Sequence, residues 1–353
     1  LRAASVCDKE YTMDDNLLAH AVEDFLCGRC TPQRVREVEA DPDAATTRAL
    51  WVEVQESGFA DALTPEGDGG AGLGLSDAAI IALASGRHAM PLPLALTMAV
   101  RAVLASSGKL PDGPITIAAM PVDLARGGPV VSIAVPYGLV ADWVLLSAPT
   151  QDWLLPTASA VRQQSGGHGS LAADIRWSAL PTDALVFAHM AGRTTDWRAM
   201  AAAMVAAQMA GAMARLLDMT IGYANDRSQF GKPIGKLQAI QQQISMMAEQ
   251  VFAARTAALI GLSGGGVQVD LLRAAVAKAR AGEAAVSAIT VSHAVHGAIG
   301  VTDEFDLQLF TRRLHEWRGQ YGGETYWQFR LGQALLQDTL PPLQFVQKLA
   351  VSA

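Results

Sequence analysis

Between Leu237 and Ala258 the apolar residues Leu237, Ile240, Ile244, Met247, Val251, Ala254 and Ala258 recur at steps of 3, 4, 3, 4, 3 and 4. That spacing is the seam of a bundle helix with a near-antiparallel partner. Thr194-Thr195-Asp196 offers an N-cap for a preceding long helix ending near Asn225. Gly264-Gly265-Gly266 ends the seam helix, and a third long helix is expected from Asp270 to about Val295, with shorter helical segments after it. The first hundred residues are also helical in pattern. Asp14-Asp15-Asn16 caps a run through Leu17, Leu18, Ala21, Val22 and Phe25. A second helix is predicted over 46–57, stopped by Gly58, and a third starts near Ser76-Asp77. A glycine-rich loop from Thr64 to Gly74 lies between them.

The period changes after Gly108. Ile115–Ala119, Val130–Val135, Trp143–Ser147, Trp153–Leu155 and Ala184–Ala188 are short β-prone runs bounded by Gly, Pro and Asp, and Gln163–Gly169 reads as a turn. The predicted fold class is α+β, mainly α. It comprises an N-terminal helical domain over 1–112, a small antiparallel β middle domain over 113–190 and a C-terminal helical bundle over 191–353.

Composition narrows the function. Charged residues make up 17% of the chain against a usual ~25%, and apolar residues 50%, which excludes disorder and leaves surface for subunit contacts. A formal charge of −7 gives no global basic footprint for nucleic acid. Three cysteines cannot form a disulfide framework, which points to a reducing compartment and a cytoplasmic protein. The N-terminus lacks the apolar core of a signal peptide. The stretch from Trp197 to Leu217 contains Arg198, Gln208 and Arg215, so it reads as a buried helix and not a membrane span.

Three weak motifs come next. Cys27-Gly28-Arg29-Cys30 has C-x-x-C spacing, but no second ligand pair exists for zinc, so it reads as a helix end. Gly67–Gly72 satisfies G-x-G-x-x-G without the strand, helix and later acid of a dinucleotide site, and reads as a flexible turn. His293 and His296 could share one helix face. The Gly297-Ala298-Ile299-Gly300 that follows fits a backbone-exposing turn that receives a ligand better than a metal site, so no metal is expected. The most distinctive stretch is Asn225–Ile234. There Arg227 offers a bidentate donor for phosphate, Phe230 a flat apolar face, and Gly231 close backbone approach. A plain interhelical hairpin with a surface arginine explains it equally well.

Tyr223–Ile234 with Gln238-Ala239-Ile240-Gln241 resembles the Y-A-x-x-R-x-Q-F-G-x-P-I…Q-A-x-Q signature of the acyl-CoA dehydrogenase family. His296–Glu304 is similar to its H-G-G-x-G-x-T-x-E segment, and Pro65–Gly72 to its P-E-x-x-G-G-x-G turn, in the family's order. The resemblance implies α,β-dehydrogenation of an acyl-CoA thioester. A carboxylate takes the α-proton while the β-hydrogen leaves as hydride to FAD, with electron-transfer flavoprotein or a similar acceptor downstream. It further implies that Arg227, Gln229 and Phe230, continued by Ile234, Leu237 and Gln238, touch the FAD of a neighbouring subunit. His296, Gly297 and Ala298 would meet the same cofactor from another chain, in a homo- or heterotetramer.

The departures concern the base. Where the family carries Y-E-G-T this chain reads Tyr321-Gly322-Gly323-Glu324-Thr325, and the alternative position near the start of the first bundle helix, 197–202, holds no carboxylate. Glu324 is the remaining candidate catalytic base, with an acid of a helix N-terminus as its other explanation. Ala294 and Ala298 stand where the family has glutamine and glycine, and the T-E-P-x-x-G-S-D loop is missing. These losses resemble a short, divergent subset in which two unlike chains form one enzyme for bulky substrates such as steroid side-chain thioesters. Three expectations follow: an active FAD-dependent dehydrogenase using Glu324, a non-catalytic partner subunit that completes the FAD site, or a related flavin oxidase.

Overall fold

The computed structural model describes residues 17–108, 110–118, 128–189 and 195–351. The Asp14-Asp15-Asn16 cap, Cys7, Ala119 and Thr194 lie outside these residues. Five helices come first: α1 (Leu17–Arg29), α2 (Pro32–Ala40), α3 (Ala45–Glu56), α4 (Leu75–Arg87) and α5 (Leu94–Leu104). The glycine-rich loop before α4 is closed by its own backbone, with Gly72 N–H donating to Thr64 O at 2.8 Å and Leu73 N–H to Ala62 O at 2.9 Å.

Seven strands follow: β1 (Ile115–Ile117), β2 (Val130–Val135), β3 (Trp143–Ser147), β4 (Gln151–Pro156), β5 (Val161–Gln164), β6 (Ala173–Trp177) and β7 (Leu185–Ala188). They form two sheets, ordered β1-β3-β4-β7 and β2-β6-β5, antiparallel apart from the β1–β3 pair. Val130, Val144, Leu155, Ile175 and Trp177 fill the small core that the sheets share. The sequence pattern missed β6 and placed Gln163 and Gln164 in a turn; both end β5 and pair with Asp174 and Ala173.

Then come α6 (Trp197–Asp226), the short strands β8 (Ser228–Gln229) and β9 (Lys232–Pro233), and α7 (Gln238–Gly261). The chain ends in α8 (Leu271–His296), α9 (Leu307–Gly319), α10 (Glu324–Gln337) and α11 (Pro342–Val351). Asp196 caps α6, accepting from Ala199 N–H at 2.9 Å. The most apolar window of α6 is 89% buried inside the protein, as in a core helix. Alanines let α6 pack on every side, and two glycines bring α4 against it. A Cβ on Gly86 would lie 1.8 Å from Gln208 O, and one on Gly211 would lie 1.9 Å from Leu83 O.

Polar contacts join the three regions. Trp197 Nε1 donates to Asp152 Oδ2 on β4 at 2.8 Å, and Ile115 N–H donates to Thr97 Oγ1 on α5 at 2.8 Å. Glu39 of α2 accepts from Arg312 at 2.9 Å and from Arg313 of α9 at 2.6 Å.

Candidate functional site

The hairpin between α6 and α7 is built by its turn. Gln229 faces Lys232, and the two residues between them, Phe230 and Gly231, have φ of 52° and 77°. Positive φ at both central positions is the type I′ geometry that matches strand twist, unusual for a phenylalanine. The turn lifts the Phe230 ring 87% into solvent. Arg227 and Gln229 beside it are exposed, and Arg227 makes no ion pair among the described residues. Ile234 is buried, so it anchors the hairpin and does not form its surface; Leu237 is half-buried and Gln238 exposed.

The end of α8 meets the last turn of α6, just before this hairpin. His296 stacks on Tyr223 with ring centroids 4.4 Å apart and lies 5.1 Å from Phe305. Burial pulls its pKa down, and its Nδ1 contacts Ser292 O at 2.7 Å. His293 instead reaches Thr311 Oγ1 at 3.2 Å, so the two imidazoles do not converge as metal ligands. Gly297 turns the chain at φ 63° with no atom within 4 Å of a built Cβ, and Ala298 is exposed. Of the residues expected to meet a cofactor, Arg227, Gln229, Phe230, Gln238, Gly297 and Ala298 are on the surface. Ile234 and His296 hold that surface from beneath. Exposed guanidinium, exposed aromatic and open glycine backbone on one end of the bundle fit a phosphate-bearing cofactor with a flat apolar group.

Glu324 is elsewhere. It opens α10, and its carboxylate takes a hydrogen bond from Arg318 Nε. Its side chain packs on α8 so closely that a Cβ on Gly282 would meet its Oε1 at 2.4 Å. Gly282 and His296 are fourteen positions apart on α8, about 21 Å at 1.5 Å per residue. Just before it, Gly322 has φ 107°, and a Cβ there would lie 2.7 Å from Tyr326 Cδ1 and 2.9 Å from Trp327 Nε1. Tyr321 is fully buried, with its hydroxyl donating to Ile117 O on β1 at 2.8 Å.

Sequence reasoning missed Lys278. The side chain is 1% exposed, and Nζ donates to Arg318 O at 2.8 Å and Gly322 O at 3.1 Å. Burial pushes its pKa down to about 8, while Glu324 pulls the other way. Its position four residues after Ala274 and four before Gly282, on the inward stripe of α8, was the available signal.

A cavity of about 660 Å³ lies apart from Glu324, lined among others by Arg36, Glu39, His168, Asp303 and Arg312. Arg36 there pairs through Nη2 with Asp306 at 2.8 Å, its Nε buried without a partner, and Arg312 pairs with Glu39 at 2.9 Å, so each guanidinium already carries an ion pair within the protein.

Two family models match the chain: the acyl-CoA dehydrogenase N-terminal domain over 12–109 and its C-terminal domain over 198–319. The chain is 29% identical over 317 residues to acyl-CoA dehydrogenase IpdE2 of Mycobacterium tuberculosis, covering 85% of this chain and 90% of that one. Among solved structures it superposes on a Tcur3481-Tcur3483 steroid ACAD variant with TM-score 0.77 at 23% identity, covering 91% of this chain and 97% of that one. It also superposes on the ChsE4-ChsE5 complex of Mycobacterium tuberculosis with TM-score 0.75 at 21% identity, covering 94% and 100%. Fold, ordered motifs and both domain models agree: the chain belongs to the acyl-CoA dehydrogenase family.

Proposed function

We propose that this chain is the cofactor-completing subunit of a FAD-dependent acyl-CoA dehydrogenase built from two unlike chains, the proton-abstracting carboxylate coming from the other chain. Gly322 carries this proposal. It occupies the place where the family resemblance puts the acid, and its backbone at φ 107° and its contacts with Tyr326 and Trp327 leave no room for a side chain. Glu324, two residues on, is committed to Arg318 and packed on α8, which argues for a structural acid and against a base facing substrate.

When bound, FAD would supply the acceptor for the hydride leaving the β-carbon. This chain's part is to bind and orient. Arg227 supplies charge-assisted donors to the pyrophosphate, Phe230 a ring against the adenosine end, and the Gly297 turn a bare backbone for close approach. Met246, Phe252 and Leu259 on α7, Val286 on α8 and Phe329 on α10 are exposed, giving the bundle an apolar face for assembly. Two solved proteins of like fold bear paired names, the Tcur3481-Tcur3483 steroid ACAD and the ChsE4-ChsE5 complex, which supports a heteromeric assembly. A bulky or steroid-derived acyl-CoA, a cytoplasmic setting and an electron-transfer flavoprotein as acceptor complete the proposal.

The test replaces Arg227 by Ala in the co-expressed assembly and titrates flavin into the apo form. Losing a charge-assisted hydrogen bond of about 1.5–3 kcal/mol should weaken FAD by roughly 10- to 100-fold. Unchanged affinity would remove the hairpin from the cofactor site.

A further inference from the structure

Helix α2 is fastened to the rest of the molecule mainly by charge. Its only buried residues are Val35 and Val38, and α3 is its main neighbour in backbone packing. Ion pairs supply the other fastenings, and they reach α3, α9 and β5. Arg34 binds Glu53 of α3 through two hydrogen bonds, at 2.8 and 3.1 Å. Arg36 holds Asp306 Oδ1 at 2.8 Å and donates to Asp303 O at 3.0 Å, both just before α9. Glu39, its side chain 7% exposed, takes Arg312 at 2.9 Å and Arg313 at 2.6 Å from α9 itself. Just past the helix, Asp43 pairs with Arg162 of β5 at 2.7 Å. Water can replace such fastenings, as it cannot replace apolar packing. Surface ion pairs add little net stability, and a buried pair that separates into solvent regains the hydration it lost on burial. Few buried apolar contacts under a segment are what permit it to open locally. Pro32 and Pro42 bracket α2, so neither α1 nor α3 runs into it as a continuous helix.

Beneath α2 lie a cavity and a thiol. Arg36, Glu39 and Ala40 form one wall of the 660 Å³ cavity, with His168, Gly169 and Arg312 among its other lining residues. The fit there is close: at Gly169, with φ 69°, a Cβ would meet Arg312 Nη1 at 1.9 Å and Glu39 Oε2 at 2.7 Å. Cys30, just before the Thr31 cap of α2, is 4% exposed. Its Sγ lies 3.2 Å from Met90 Sδ, and Arg34, Arg313 and Glu53 are the charged groups around it.

We propose that α2 is a strap: it walls one side of this cavity and opens as a unit, by separation of the Glu39 and Arg36 pairs, while the core helices stay folded. Opening widens the cavity and bares Cys30. The strap stands on these contacts alone and needs no part of the cofactor reading.

Amide hydrogen exchange on the full wild-type chain tests the strap. Amides 35–40 should exchange at least ~100-fold faster than those in the middle of α6, with little dependence on urea, as a local opening requires. Cys30 should be alkylated under the same native conditions, scored by peptide mapping. Glu39→Gln should speed both processes at least ~10-fold while α4 and α6 keep wild-type protection. Protection of α2 equal to that of α6 in the wild type would overturn the proposal. So would a Glu39→Gln variant that loosens α4 and α6 as much as α2. Should that variant fail to fold, Arg36→Gln releases the other fastening and should give a smaller acceleration confined to α2. No acceleration there would equally overturn it. Raising salt from about 0.05 to about 0.5 M should open wild-type α2 severalfold faster, because its exposed pairs are screened. An unchanged rate would mean that packing and not charge holds α2, against the proposal.

Discussion

Purified alone, the chain should dehydrogenate acyl-CoA at least ~10²-fold more slowly than when assembled with a dehydrogenase chain that carries a base, since a positioned general base contributes about 10²–10⁴ in rate. Anaerobic bleaching of the flavin band by an acyl-CoA measures this directly. The informative companion is Gly322→Glu, which writes the family's acid back at its expected place. A missing side chain alone would be restored by that substitution. Here the backbone sits at φ 107°, where a residue with a Cβ stores about 1–3 kcal/mol of strain, and the Cβ would lie 2.7 Å from the Tyr326 ring. Gly322→Glu should therefore lower stability by about 2–4 kcal/mol and yield no turnover in the isolated chain. Gain of activity by that variant, or turnover by the unpartnered wild type matching the assembly, would end the partner-subunit proposal. Glu324→Gln separates the remaining alternative. As half of a packed ion pair with Arg318, Glu324 should matter to stability, and loss of turnover with the fold intact would reinstate it as the base.

What the sequence displays depends on whether a pattern carries its own signal. The α7 seam is legible because each inward position is apolar at a spacing only a bundle helix uses, and Met247, Val251, Ala254 and Ala258 are buried. Strand β5 reads Val-Arg-Gln-Gln and is almost wholly exposed on a sheet edge, so it offers no alternation to detect. Helix α2 escapes for a related reason. Its Pro-Gln-Arg-Val-Arg-Glu-Val-Glu-Ala is charge-rich, and only Val35 and Val38 are buried, although Thr31 and Pro32 form a sound start signal. At the site, residue types were legible and their commitments were not. Glu324 looks like any acid at a helix start until Arg318 is seen to hold it. Lys278 looks like a surface lysine until α9 and α10 cover it.

Gly211→Ala should be among the most damaging single-methyl changes in the molecule, with Gly86→Ala close behind. The new methyl carbons would sit 1.9 Å from Leu83 O and 1.8 Å from Gln208 O, against carbon–oxygen contacts that begin near 3.0 Å. Neither oxygen is on a flexible side chain, so α4 and α6 must separate by more than about 1 Å along a tightly packed seam. Overpacking usually costs about 1–3 kcal/mol, and a backbone clash belongs at or beyond the upper end; about 3–5 kcal/mol is expected for each substitution. That is a large share of a typical stability of about 5–15 kcal/mol, and urea unfolding would read it. Gly222→Ala is the control within α6: nothing lies within 4 Å of its built Cβ, so the better helix propensity of alanine should stabilise by up to about 1 kcal/mol. A Gly211→Ala variant within about 1 kcal/mol of wild type would mean that the helices do not cross so closely. The consequence reaches the candidate cofactor surface, because α6 carries Gly211 in its middle and Tyr223 and the Arg227 hairpin at its end. Displacing α6 from α4 should shift the Tyr223–His296 stack, and flavin affinity of the assembled enzyme should fall along with stability, whereas Gly222→Ala should leave both intact.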